Sequence, residues 1–266
     1  VMILDTIQQN YHSFTPKEQK IATYIMQKKH LKNMNITELA NILNTSPATI
    51  TRFCKKIDCA NFAEMKINLV DESTQESIIN KDTIFDAIHT YYTTVMDNTN
   101  KLVNPQDIAE TIEAIIRAKK IYIYGVGSSG LTALEFMQRL IRMGFNVSCF
   151  TDTHMMLISQ TLLTPDDLVI GISSSGQTVE IVNMLASAKK VGAKTISITS
   201  FIDSQIVRYS DISLIVYSSK FVNNTSFVNS QFAMMFIVDI LTMILLDDKD
   251  YNTMMQETIQ TILDRK

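Results

Sequence analysis

The sequence predicts a mixed α/β chain of two unequal domains: an all-helical N-terminal domain, then an open parallel five-stranded sheet with helices on both faces. Three observations carry this. No glycine occurs before Gly125, whereas Gly125, Gly127 and Gly130 then fall within six residues. From Lys120 onward, short β-branched runs alternate with stretches of helical period, the pattern of strand-helix-strand crossovers. At 266 residues the chain exceeds one ordinary domain and falls short of two large ones.

Composition narrows the function classes. The chain is 46% hydrophobic and 19% charged, with a net charge of -3. Charged residues interrupt every apolar run before about 18 residues, so no membrane-spanning helix is expected. No basic-then-apolar leader opens the sequence, and a cytoplasmic protein is expected. Cys54, Cys59 and Cys149 are an odd count without C-x-x-C spacing, which argues for free thiols and against a disulfide framework or a zinc site. Residues 1–70 carry nine Lys and Arg against five Asp and Glu; the remainder carries fifteen against twenty-two. The first domain therefore suits a polyanionic partner better than the second does.

The helices can be taken in order. Thr15 and Pro16 open the first, with Ile21, Tyr24 and Ile25 along it. Ile36, Leu39, Ala40 and Leu43 share one face of a second, which Asn44 and Thr45 break. Ser46 caps a third over 47–57, begun by Pro47, with Ile50, Phe53, Cys54 and Ile57 facing inward. Two short helices joined by a tight turn, the second showing small, hydroxyl and basic residues outward, form a helix-turn-helix pattern. Ser46, Ala48, Thr49, Thr51, Arg52, Lys55 and Lys56 are then the candidate contacts to DNA. Small residues let the backbone enter the major groove, Thr49 and Arg52 reach base edges, and Lys55 and Lys56 meet phosphates.

Ile84, Ile88, Tyr91, Val95 and Leu102 recur at helical spacing and predict a connecting helix in place of a loose linker. Strands are predicted over 121–124, 146–150, 168–172, 195–199 and 212–216, with helices over about 129–143, 178–191 and 204–209. In such sheets ligands bind beyond the C-terminal ends of the strands. The first strand is followed by Gly125-Val126-Gly127-Ser128-Ser129-Gly130, the third by Ser173-Ser174-Ser175-Gly176-Gln177-Thr178. Hydroxyls and N–H groups at a helix N-terminus, where the macrodipole supplies about half a positive charge, make a phosphate cradle without Lys or Arg. The glycines also satisfy G-x-G-x-x-G, with Asp152 roughly where a ribose-binding acid would lie, but a dinucleotide fold leaves the second hydroxyl loop unexplained. The stretch 232–246 is too apolar for a surface helix and reads as a subunit interface.

The runs 15–22, 36–40 and 46–56, together with the two loops, resemble the RpiR-type transcriptional regulators and the sugar isomerase (SIS) domain that those regulators carry. The resemblance covers about residues 10–70 and 105–245. It implies a bacterial DNA-binding regulator, dimeric or tetrameric, whose SIS domain senses a sugar phosphate. It places Ser128 and Ser129 in the first sugar-phosphate loop, and Ser173, Ser175 and Thr178 among the phosphate-holding hydroxyls of the second. Gly127, Ser174 and Gln177 complete the candidate set, the last two at positions that vary. Where family members often show glycines and a basic residue after the recognition helix, this chain has Asp58-Cys59-Ala60-Asn61. The domains are then 1–75 (helix-turn-helix), 76–105 (connecting helix), 106–250 (SIS) and 251–266 (helical tail). No catalytic residue, cofactor or metal is expected. An isomerase needs a base beside the sugar, and His154, the single histidine of the sheet domain, is the residue on which that alternative rests.

Overall fold

A computed structural model describes residues 3, 6–7, 10–27, 31, 34–74, 81–218 and 231–264. They divide into two compact units at Tyr91/Tyr92. In the first, α1 (Pro16–Gln27), α2 (Ile36–Ile42), α3 (Pro47–Lys56) and α4 (Phe62–Thr74) each start on a polar side chain that satisfies orphan backbone donors. In this unit the spacing [TN]-x-x-E recurs three times, and at Thr15/Glu18 and Asn35/Glu38 it builds reciprocal caps. Glu38 and Asn35 exchange N–H bonds at 2.9 Å. Asn61 accepts from the Glu64 N–H at 2.9 Å, and Glu18 accepts from both the N–H and the hydroxyl of Thr15. Ser46 caps α3 by accepting from the Thr49 N–H at 3.2 Å.

Ile21, Leu39, Ile50, Phe53, Ile57 and Met65 are fully buried in this unit, and Phe14 meets Phe53 edge-on at 5.1 Å. The four residues expected to face inward from α3 do so. Asn44 and Asp58 take left-handed conformations at φ 51° and 58°, which their short polar side chains tolerate. The Cys59 N–H closes the end of α3 on the Cys54 carbonyl at 2.9 Å, so the glycine-free turn keeps its geometry.

Helix α5 (Lys81–Leu102) runs through the division between the units, and α6 (Pro105–Arg117) follows, capped by Asn104. Residues 76–80 of the expected connecting helix lie outside the described residues. The second unit is a sheet of β1 (Lys120–Gly125), β2 (Val147–Phe150), β3 (Asp167–Ile172), β4 (Lys194–Thr199) and β5 (Ile212–Ile215). All pairings are parallel and the order is β2-β1-β3-β4-β5. Right-handed crossovers in that order put α7 (Ser128–Arg142) on one face, and α8 (Thr153–Gln160), α9 (Val179–Val191) and α10 (Gln205–Arg208) on the other. Helix α11 (Phe232–Leu246) packs on α6 and α7, and α12 (Lys249–Leu263) packs on α7 and α11.

All five strands lie within two residues of their expected bounds. Of the largely apolar segment 232–246, Ala233, Met234, Ile237, Val238, Leu241 and Leu245 are buried within the chain, while Met243 and Ile244 stay exposed. Cys54 and Cys59 are buried and Cys149 is half-buried, and none of the three is in a disulfide. Burial, followed by the neighbouring Cys59, pushes the Cys54 thiol up to about 12, so it is protonated and inert at neutral pH. Among the described residues no helix is long and apolar enough to cross a membrane.

Candidate functional site

Strands β1 and β3 are neighbours whose last residues pair, Gly125 with Ile172, so their loops leave the sheet side by side. Here the strand order reverses, and such a switch point opens a crevice. In the first loop a Cβ on Gly125 would lie 2.6 Å from the Ser129 carbonyl oxygen, and one on Gly130 2.9 Å from that of Gly125, so the turn closes only on glycine. Gly127, at φ 59°, is the N-cap of α7 and supplies no side chain to its first amides. Ser128 is exposed and Ser129 buried.

The second loop is organised by Ser173. This serine is buried; its Oγ accepts from the Gly176 N–H at 3.1 Å and bonds Thr178 Oγ1 at 3.0 Å. With one lone pair committed to the Gly176 amide, Ser173 can donate its proton to Thr178, which leaves the Thr178 hydroxyl proton for a ligand. Ser175 is exposed, and its Oγ accepts from the Gln177 N–H at 3.2 Å. The loop is braced from behind: the Ser174 carbonyl accepts from the Ser200 N–H at 3.1 Å, and the Gly176 carbonyl from the Ile206 N–H at 3.0 Å.

Asn104, Asp152 and Asp248 cap α6, α8 and α12 with their side chains, whereas α7 and α9 have no side-chain cap. Two long helices thus aim open N-terminal amides at the ends of adjacent strands, where their dipoles favour an anion. From Gly125 to Gly130 and from Ser173 to Val179 there is no charged side chain.

The groups on which other chemistries would rest are placed differently. Asp152 accepts from the Met155 N–H at 2.9 Å and is committed to the start of α8, against the ribose-binding role that a dinucleotide site would give it. His154 is exposed on α8, and Glu180 is exposed on α9. Glu135 pairs with Arg139 on its own helix at 2.9 Å. Tyr124 is fully buried, its hydroxyl 2.9 Å from Ser159 Oγ, and burial pushes it up to about 12, too high for proton transfer at neutral pH. Among the described residues no cluster of three or more His, Cys, Asp or Glu could hold a metal.

On α3, Ser46, Ala48, Arg52, Lys55 and Lys56 are exposed, and Thr49 and Thr51 half-buried. Ser46 and Thr49 share a hydroxyl bond at 2.9 Å, and Thr51 returns its proton to the Pro47 carbonyl at 3.0 Å. Lys56 is not simply presented outward, because its Nζ lies 2.8 Å from Glu18 Oε2 on α1. Burial alone would raise the Glu18 carboxyl, but the bonds from Lys56 and Thr15, together with the Lys56 charge, hold it below its usual 4.5. A lowered native value makes the ionised pair stabilising above about pH 4.5, with that contribution lost as pH falls through the native value. Circular dichroism melts should show the helical unit weakening in that range, and Glu18→Gln should flatten the dependence.

Sequence reasoning missed α6 and α8, although Asn104-Pro105 and Asp152-Thr153 are N-cap signals that could have found them. It also missed the bracing by Ser200 and Ile206, for which no local signal exists.

Comparison with known proteins agrees with this architecture. Residues 1–76 match the helix-turn-helix domain of the rpiR family and residues 114–244 the SIS domain. An uncharacterized HTH-type transcriptional regulator of Caldanaerobacter subterraneus is 34% identical over 260 residues, covering 94% of this chain and 92% of its own. One from Haemophilus influenzae is 29% identical, covering 99% and 97%. Among solved structures, the NanR protein of Vibrio vulnificus complexed with ManNAc-6P has a TM-score of 0.65 at 25% identity, with 99% of each chain covered. The sugar isomerase domain of an RpiR transcription factor from Sphaerobacter thermophilus has a TM-score of 0.61 at 22% identity, covers 67% of this chain and 99% of its own, and shows the fold alone. On its two matched domains and its full-length relatives, the chain belongs to the RpiR family: it is a transcription regulator, not an enzyme, with a helix-turn-helix domain and a SIS domain.

Proposed function

We propose that this regulator binds operator DNA through α3 and is controlled by a sugar phosphate held between loops 125–130 and 173–178. The observation that carries the effector reading is the pair of uncapped helix N-termini set side by side at the switch point and fringed with hydroxyls. The α9 amides with Ser175 and Thr178 take the phosphate oxygens, Ser173 and Ser174 shape the loop, and Gln177 lies at its rim. Gly127, Ser128 and Ser129 close the other side. That NanR, similar along its whole length, is complexed with a sugar phosphate supports this reading. The protein acts in the cytoplasm as a homodimer or homotetramer, with its domains bounded at about 75, 105 and 250.

Thermal melts with ManNAc-6P, glucosamine 6-phosphate and fructose 6-phosphate, each beside its free sugar, test the effector. A ligand at 100 times its Kd adds about 2.7 kcal/mol of stability. Ser175→Ala and Thr178→Ala should each weaken binding by about 1–2 kcal/mol. Equal response to a free sugar and its phosphate would remove the phosphate assignment.

For DNA, Arg52→Ala should lose about 1–3 kcal/mol of discrimination between duplexes, while Lys55→Ala should weaken all duplexes alike and lower the salt slope by about one. Lys56→Ala should also loosen the helical unit, since it strands the Glu18 carboxylate. Anisotropy titrations at several salt concentrations separate the three. Full-length protein without salt-dependent duplex binding would contradict the DNA assignment.

A further inference from the structure

We propose that the hydrogen bond from the Tyr217 N–H to Thr99 Oγ1 is the joint through which the effector loop acts on helix α5, with Val216–Ser218 as its moving part. This rests on the sugar-phosphate reading of loop 173–178.

A chain of bonds leads from that loop to the helix. The Ser174 carbonyl accepts from the Ser200 N–H at 3.1 Å, and the carbonyl of the preceding Thr199 accepts from the Val216 N–H at 2.9 Å. The next residue, Tyr217, donates its N–H to Thr99 Oγ1 at 3.1 Å, across 118 positions of sequence. Thr99 and Val216 are fully buried, and Tyr217, Ser218 and Ser200 are at most 5% exposed. Water cannot stand in for a bond broken along this path, so a displacement of the loop must either be passed on or leave a buried donor unmet. The receiving end is α5, the helix that continues through the division between the two units.

Two features mark the exit of β5 as able to move. A threonine within a helix commonly spends its hydroxyl on a carbonyl of its own preceding turn, whereas Thr99 offers its oxygen to the amide of a distant segment. Beside it, Ser218 Oγ is buried without a hydrogen-bond partner. A buried unmet hydroxyl is costly, so the arrangement seen here is not fully satisfied, and a small slide of Val216–Ser218 can exchange one bonding pattern for another. Effector binding that favours one pattern shifts α5 through Thr99, which serves as a positioning residue and touches neither ligand.

The experiment uses the full-length protein, a duplex selected from a random pool by that protein, and the sugar phosphate that raises its melting temperature most. Three quantities are measured: sugar-phosphate affinity, duplex affinity alone, and the ratio of duplex affinities with and without sugar phosphate. Thr99→Val keeps the volume and removes the acceptor; both affinities should persist while the ratio moves about fivefold or more toward one. Thr99→Ser restores the acceptor and should restore the ratio. A folded Thr99→Val protein with the wild-type ratio overturns the proposal. If Thr99→Val does not fold, amide exchange at Tyr217 in the wild type decides: a rate altered by the sugar phosphate supports the joint, and an unaltered rate overturns it. If the wild-type ratio is itself one, the effector reading has failed, and the joint falls with it for want of a signal to carry.

Discussion

Phe53→Ala is expected to cost the helical unit about 3–5 kcal/mol and to abolish duplex binding, while stabilisation by sugar phosphate survives. Phe53 has no exposed surface and meets Phe14 edge-on at 5.1 Å, so truncation opens a cavity between the segment before α1 and α3. The outward residues of α3 are held in place by that packing, and Arg52 and Lys55 lose their setting with it. Melts followed by circular dichroism and duplex anisotropy read the two effects separately. Wild-type duplex affinity in Phe53→Ala would show that α3 does not depend on this core.

Gly176→Ala should remove the response to sugar phosphate. A Cβ there would lie 2.0 Å from Ser204 Oγ and 2.3 Å from its Cβ, and the backbone sits at φ 63°. Strain of about 1–3 kcal/mol attaches to the dihedral alone, and the loop must open to relieve the clash. Gly127→Ala separates strain from clash: its φ of 59° carries the same kind of strain, but nothing lies within 4 Å of its Cβ. It should destabilise its loop less than Gly176→Ala does. Calorimetry with the sugar phosphate reads the effect, and unchanged binding by Gly176→Ala would contradict the second loop as the phosphate cradle.

What the sequence made legible follows the range of the interactions involved. Strands β1 to β5, the inward face of α3 and both hydroxyl loops are written in periods and caps spanning a few residues, and they could be read directly. The order β2-β1-β3-β4-β5 was not legible, because no local pattern says on which side of β1 the chain returns; yet that order sets the two loops beside each other. The pairing of Lys56 with Glu18 was not legible, because Glu18 is 38 positions away, on another helix. The packing of the apolar run 232–246 on α6 and α7 was not legible either, because hydropathy records the need for cover and not what supplies it. The departure at Asp58 was readable in physical terms, since aspartate tolerates the left-handed conformation that the turn adopts.

The most direct test of effector control is duplex affinity of the wild-type protein with and without saturating sugar phosphate, measured at one fixed salt concentration. Coupling of about 1–3 kcal/mol should change that affinity by roughly 5- to 150-fold, in either direction, while the free sugar leaves it unchanged. An affinity that stays the same when a bound sugar phosphate saturates the protein would contradict control of DNA binding by the SIS domain.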